Sequence, residues 1–321
     1  MVPAFHHVSV LAEELSAALA PAIDAHPEGA LVDATCGGGG HTAALLERCR
    51  PARVVLLDRD AAALEHARVR LAGAPCPLDF RHTPFGDLEA VLDELGLERV
   101  AVVMADLGVS SHQFDAGERG FSFRYDAPLD MRMDPSRGRT AAQWLETLDA
   151  DALADVLRRF GEEAEAWRIA QAIVRAKPTT TLELASVVEQ AMSAPARRKL
   201  GKRIHPATRT FQALRMLVNA ELDQLAQLLE RAPERLLVGG RLGVISFHSL
   251  EDREIKQHFA ALTRAPELPS HLPIVADALP QARFRVPPGV PRKGIEAGPA
   301  ELERNPRARS ARLRVIERCS E

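Results

Sequence analysis

Over the first hundred residues, short apolar runs ending in an acid alternate with amphipathic stretches. Ala30–Ala34 predicts a strand ending at Asp33, Thr35–Gly40 a glycine-rich turn, and His41–Arg48 the opening of a helix. The rhythm continues with a strand at Arg53–Asp58, a helix at Ala61–Leu71, a strand at Leu78–His82, a helix at Gly86–Leu95 and a strand at Val100–Asp106. Strands that alternate with helices of this length join through right-handed crossovers, since only that hand lets a twisted strand and its helix pack back onto the sheet. The pattern therefore predicts an α/β fold with a mostly parallel, doubly wound sheet covered by helices on both faces.

After Leu107 the rhythm breaks. Gly108–Arg139 is of mixed polarity with several glycines and reads as a long ordered loop or lid. Helical patterns follow at Ala141–Leu148, Asp151–Phe160, Glu162–Ala176 and Thr181–Ser193. One further helix is predicted from Pro206, which suits a first turn, to Pro233. It carries Phe211, Leu214, Val218, Leu222, Leu225 and Leu229 at spacings of 3, 4, 4, 3 and 4. A strand at Arg241–Phe247 and a helix at Glu251–Ala261 resume the first pattern. Pro266–Pro299 is Pro-rich and weakly patterned, and Arg312–Glu317 alternates as an edge strand does. The reading is one sheet domain, residues 1–113 and 217–321, interrupted by an all-α insert at 114–216. A length of 321 residues, against ~100–200 for one domain, suits that division.

Composition narrows the possibilities. Hydrophobic residues are 46% and charged residues 26%, which excludes a disordered or fibrous chain. Aromatics are only 4%, too few for a broad base-stacking platform. Cys36, Cys49, Cys76 and Cys319 form no C-x-x-C pair, and no His spacing resembles a metal site, so no metal and no disulfide framework is expected. No run approaches the ~18 apolar residues of a membrane span, and Glu13 and Glu14 interrupt the early apolar stretch, so a cytoplasmic chain without a signal peptide is expected. The net charge of −3 hides an asymmetry. Residues 1–100 hold eight Arg against fifteen acids, whereas Pro195–Arg215 holds seven basic residues and no acid, a block able to neutralise phosphates. The tail from Gln281 to Arg318 adds ten basic residues against four acids.

The candidate chemistry begins at Asp33-Ala-Thr-Cys-Gly37-Gly38-Gly39-Gly40-His41, a strand-to-helix turn where residues without side chains let the backbone approach a ligand and the helix offers free N–H groups. Asp58 closes the second strand 21 residues after Gly37, the place of a carboxylate that holds ribose hydroxyls. Adenosyl cofactors and nicotinamide dinucleotides both fit this pair. Tyr125 is the single tyrosine and has Leu129, not Lys, four residues on, which disfavours a short-chain reductase, although a dehydrogenase with a separate catalytic domain stays open. A phosphate-binding basic run suits a macromolecular substrate and favours methyl transfer.

The segments Asp33–His41, Met104–Gln113 (MADLGVSSHQ), Glu118–Arg132 (ERGFSFRYDAPLDMR), His205–Phe211 (HPATRTF), Ser246–Arg253 (SFHSLEDR) and Asn305–Ser310 (NPRARS) resemble, in order and over nearly the whole chain, the RsmH family, also called MraW. The resemblance implies a Rossmann-like class I methyltransferase that uses S-adenosylmethionine to methylate N4 of a cytidine in the decoding region of bacterial 16S ribosomal RNA. By position it implies cofactor contacts at Gly39, Gly40, His41, Asp58, Phe85, Asp106 and Gln113. With the resemblance, the basic run is expected to contact RNA at Arg197, Arg198, Lys202 and Arg203, and the low aromatic content and net acidity point to RNA presented within the assembled small ribosomal subunit. Amino methyltransferases place an Asp or Asn with a short Pro-containing loop after the fourth strand; here Asp106-Leu107-Gly108-Val109 keeps the acid and lacks the prolines. Asp106 is accordingly the candidate catalytic residue. A DNA amino-methyltransferase and a non-catalytic ribosome-associated factor are the rival readings.

Overall fold

The protein is described by a computed structural model over residues 9–109, 117–200, 205–265 and 281–320. It divides into two compact units, one of Met1–Gly108 with Asp223–Glu321 and one of Val109–Leu222. In chain order the elements up to the division are α1 Ala12–Ala25, β1 Ala30–Asp33, α2 Gly40–Leu46, β2 Arg53–Asp58, α3 Ala61–Arg70, β3 Leu78–His82, α4 Leu88–Glu94 and β4 Val100–Asp106. Next come α5 Ala141–Thr147, α6 Ala150–Gly161, α7 Ala166–Ala176, α8 Thr181–Ala191, α9 Ala194–Leu200 and α10 Thr208–Val218. The chain then continues through α11 Glu221–Arg231, β5 Leu236–Ser246, α12 Ser249–Leu262, β6 Phe284–Arg285, β7 Ile295–Glu296, α13 Pro299–Arg304 and β8 Arg312–Arg318.

The first unit is built on one sheet of order β3-β2-β1-β4-β5-β8-β6, with β7 also on β8. The five strands from β3 to β5 are parallel, and β8 runs antiparallel to β5. Leu31, Val32, Val54–Leu57 and Val100–Ala105 are buried without alternation, as strands covered on both faces must be. Asp33 lies in register with Leu56 and Met104, Asp58 with His82, and Asp106 with Ile245, so the acids that end β1, β2 and β4 share the carboxyl edge. From β1 the chain first winds outward through β2 and β3 and then returns to β4 on the other side. The reversal opens a crevice between β1 and β4, where sheets of this kind bind ligands.

The alternation at Arg312–Glu317 predicted an edge strand, but β8 is internal, paired with β5 on one side and β6 and β7 on the other. Its charged positions tolerate burial because they are paired: Arg314 forms two bonds to Asp252 (2.8 and 3.1 Å), and Glu317 holds both Arg241 and Arg285. Helix α1 packs on the sheet. Its Leu15 and Leu19 lie where a β-carbon at Gly243 of β5 would come within 3.2 Å of each.

The second unit packs its helices around Leu153, Leu157, Ile169, Ile173, Leu184, Val188 and Leu214. Gly161 lets α6 and α10 approach closely, since a β-carbon there would lie 2.7 Å from the Arg209 carbonyl oxygen. The described part of the expected loop or lid, residues 117–139, belongs to this core: Phe121, Leu129, Met131 and Met133 are buried in it. It is an ordered loop of the helical unit. The single helix predicted from Pro206 to Pro233 is two, α10 and α11. Asn219 ends the first by donating to the Met131 and Arg215 carbonyl oxygens (2.7 and 2.9 Å) and accepting from the Met133 N–H (2.8 Å). Ala220 then turns through φ +49°. Apolar periodicity ran through the break because both helices bury a face.

Candidate functional site

The site is assembled at the carboxyl edge by backbone bonds between strand ends. Ala34 N–H reaches the Met104 carbonyl and Cys36 N–H the Leu57 carbonyl, each at 2.8 Å, so the glycine turn hangs from both neighbours of β1. Gly37 and Gly39 have φ of +51° and +75°, a left-handed backbone that favours glycine. A β-carbon at Gly39 would crowd Leu71 at 3.1 Å, and one at Gly40 would overlap the Ser9 hydroxyl. Those two glycines therefore serve close packing within the chain. At Gly37 a β-carbon would meet nothing nearer than 4.0 Å, which leaves that side of the turn open for a ligand.

Asp58 stitches the turn to β2. One carboxyl oxygen accepts from the Gly37 N–H (2.7 Å) and the other from the Asp60 N–H (2.8 Å), while Asp60 caps α3 through the Ala62 N–H. The capping duty thus falls to Asp60, and Asp58 keeps a second lone pair on each oxygen. Burial pushes the Asp58 carboxyl up to about 6 against the pull of those two backbone bonds. Asp33 beneath it accepts from the Thr42 hydroxyl (2.6 Å) and the Thr35 N–H (3.2 Å), and burial raises it as well.

Asp106 ends β4. Its N–H donates to the Thr35 hydroxyl (2.6 Å), which ties β4 to the turn. Its Oδ2 lies 3.7 Å from His41 Nδ1, beyond hydrogen-bond range, and its buried Oδ1 has no partner among the described residues. His41 is buried, and its Nε2 lies 2.8 Å from the Val10 carbonyl. A carbonyl only accepts, so Nε2 carries the ring proton and Nδ1 of the neutral ring presents a lone pair to Asp106. Burial lowers the His41 pKa and so favours that neutral ring. Burial also pushes Asp106 up to about 8, helped by the nearby Glu251 carboxylate. At neutral pH the arrangement holds a protonated Asp106 facing a neutral His41.

Glu251 completes the edge from α12. It accepts from the Phe247 N–H (2.9 Å), and its Oε1 lies 2.9 Å from His248 Nε2. His248 caps α12, so its ring is occupied structurally. Phe85 is half-buried in a short 3-10 turn before α4. Gly39, Gly40, His41, Asp58 and Asp106 are thus brought together around the β1–β4 crevice. Gln113 lies outside the described residues. Thr35, Asp33 and Glu251 were missed as site residues. The first two sit within the quoted glycine segment, at and just after the end of β1, and Glu251 within Ser246–Arg253, in the first turn of α12; membership of those segments was the available signal. In the second unit Arg197 and Arg198 are exposed on α9, while Lys202 and Arg203 lie outside the described residues.

A parallel sheet with a glycine turn after β1, an acid closing β2 and an acid closing β4 defines a Rossmann-like methyltransferase, whose methyl donor is S-adenosylmethionine. The residues fit that donor: an open turn at Gly37, a buried acid at the ribose position and an orphaned carboxyl oxygen in the crevice. Residues 4–319 match the MraW methylase family, and the chain belongs to it. The ribosomal RNA small subunit methyltransferase H of Azoarcus sp. (strain BH72) is 47% identical over 318 residues, covering 98% of this chain and 97% of the relative. The protein of that name in Frankia alni is 48% identical over 321 residues, covering 98% and 95%. An rRNA methylase of known structure from Streptococcus thermophilus aligns over 96% of this chain and 93% of its own, at 13% identity and a TM-score of 0.40.

Proposed function

We propose that the protein methylates the N4 amino group of a cytidine in the decoding region of 16S ribosomal RNA. The names of the relatives support a small-subunit RNA substrate. The observation that carries the amino-group chemistry is the buried, unpartnered Oδ1 of Asp106 at the crevice.

Cytosine N4 is a poor nucleophile because its lone pair is delocalised into the ring, so catalysis rests on orientation and on acceptors for the amino hydrogens as positive charge grows at nitrogen. When bound, S-adenosylmethionine supplies an electrophilic methyl group on its sulfonium. Asp58 holds the ribose with its remaining lone pairs, the backbone at Gly39 and Gly40 shapes the turn, and Phe85 packs against the adenine. Gln113 is assigned a cofactor contact by position alone. Asp106 Oδ1 accepts one amino hydrogen, while the neutral His41 ring, its Nδ1 3.7 Å from Oδ2, lines the other side of the carboxyl. No strong base is needed, since the N4 proton becomes acidic once the new N–C bond forms and leaves to solvent. Arg197, Arg198, Lys202 and Arg203 neutralise RNA phosphates. The substrate is the assembled small subunit in the cytoplasm, because a net charge of −3 makes recognition of free RNA weak.

The test incubates purified protein with isotope-labelled S-adenosylmethionine and either naked 16S RNA or small subunits, and maps the product by mass spectrometry. Label on N4 of one decoding-region cytidine, greater in subunits, is the expected result. Label on another base, or none, overturns the assignment.

A further inference from the structure

The basic residues of the tail at Gln281–Arg318 are not used in the site above. The tail joins α12 to form a cleft of about 250 Å³ on the sheet unit, floored by Phe259 and Val315 and lined by Lys256, Arg285, Arg292 and Arg314. That volume is below the ~300–1,000 Å³ of pockets that enclose a small organic ligand, so the cleft suits part of an extended chain.

Its charge is positive even after internal pairing. The carboxylate of Asp252 serves both Arg314 and Arg312, and that of Glu317 serves both Arg241 and Arg285. Glu296 also holds Arg312, so the group around Asp252 is neutral, whereas the buried Glu317 offsets only one of its two guanidiniums. Lys256 and Arg292 are exposed, and neither forms an ion pair among the described residues. Arg314 is buried at the base with its fork already fixed on Asp252, so it supports the cleft while Lys256 and Arg292 face outward. Lys256 on α12 and Arg292 on the turn between β6 and β7, held beside Arg285 and Arg314 of the strands, form a fixed group of cations that suits a polyanion of regular charge spacing.

We infer that this cleft is a second RNA-binding surface, carried by the sheet unit itself, which grips the phosphate backbone of the substrate RNA away from the target nucleotide. The inference rests on the RNA substrate proposed above. It differs from the contacts assigned to Arg197–Arg203 in lying on the unit that holds the cofactor site. Phosphate contacts of this kind set register and orientation without reading sequence.

The test compares the unaltered protein with the double variant K256Q/R292Q, which spares the ion-paired arginines, by fluorescence anisotropy with a labelled decoding-region RNA fragment and by sedimentation with small subunits across a salt series. The expected result is affinity weaker by about tenfold, with the slope of log affinity against log salt smaller by about 2. Calorimetry with S-adenosylhomocysteine should give the same affinity for both proteins, which establishes that the sheet unit is folded. Unaltered RNA affinity and slope in a variant that binds S-adenosylhomocysteine normally would overturn the inference. So would a variant that loses thermal stability and no RNA affinity, because the cleft would then be covered by the chain's own residues. If the unaltered protein itself binds neither RNA nor subunits, the proposed function fails, and that outcome is distinct from the other two.

Discussion

Replacing Asp106 with Asn separates the proton on this carboxyl from its geometry. In the folded protein the group titrates at about 8, against an ordinary 3.8. Between these values the unfolded chain has released the proton and the folded chain still binds it. Asp106 therefore supports the fold fully below about pH 4, and that support drains away as pH rises to 8. Each pH unit within the span removes about 1.4 kcal/mol, so about 4 kcal/mol disappears between pH 5 and pH 8. Asn has no proton to lose. Its amide N–H can point at His41 Nδ1 while its oxygen keeps the place of Oδ1, which copies the protonated acid. Asp33, Asp58 and His41 titrate alike in both proteins, so their contributions cancel in the difference. Thermal unfolding of the cofactor-free proteins from pH 5 to pH 8 should show Asp106→Asn gaining on the parent by about 10 °C in Tm, taking 2–4 °C per kcal/mol for a unit of this size. Methyl transfer by Asp106→Asn should also exceed that of Asp106→Ala, which lacks the acceptor. Parallel Tm curves across this range would show that Asp106 is ionised at neutral pH and would refute the protonated, buried carboxyl.

Asp58→Ala removes the acceptor of the Gly37 N–H and the proposed ribose partner together. Loss of charge-assisted hydrogen bonds worth about 1.5–3 kcal/mol each should weaken S-adenosylhomocysteine binding by at least tenfold in calorimetry, and an affinity within twofold of the parent would remove Asp58 from the site. Asn219→Ala strands the Met131 carbonyl and the Met133 N–H in the helical core, at a cost of about 2–4 kcal/mol in urea unfolding; a loss under about 0.5 kcal/mol would mean that Asn219 does not hold the break between α10 and α11. R197Q/R198Q should reduce the salt slope of RNA binding by about 2 and leave cofactor affinity alone, and an unaltered slope would return α9 to a merely solvated face.

Local pattern carried much of the sheet unit. Strands β2 and β4 end where the apolar runs of the sequence do, because a parallel strand buried on both faces must be apolar and a charged residue stops it, whereas the edge strand β3 is half-buried and admits Asp79 and Arg81. The acids at those ends, Asp58 and Asp106, were visible for the same reason. Less was visible where a residue's meaning depends on a distant partner. Glu251 reads in sequence as an ordinary acid in the first turn of a helix, and only the return of β5 beside β4 sets it near enough to raise Asp106. Gly39 and Gly40 looked like ligand-facing glycines, whereas Leu71 and Ser9 are what their missing side chains accommodate.

What the chain determined alone was the alternation of strand and helix, the glycine turn after β1 and the acids closing β2 and β4, since each follows from steric and solvation preferences within a few consecutive residues. The tertiary structure decided the rest. It buried the charged strand β8 between neighbours that pair its arginines, broke one apolar periodicity into two helices at Asn219, and buried Asp106 near Glu251 so that a proton is retained at neutral pH. These outcomes depend on desolvation and on partners far along the chain, and both are created only when the sheet closes and its edges meet.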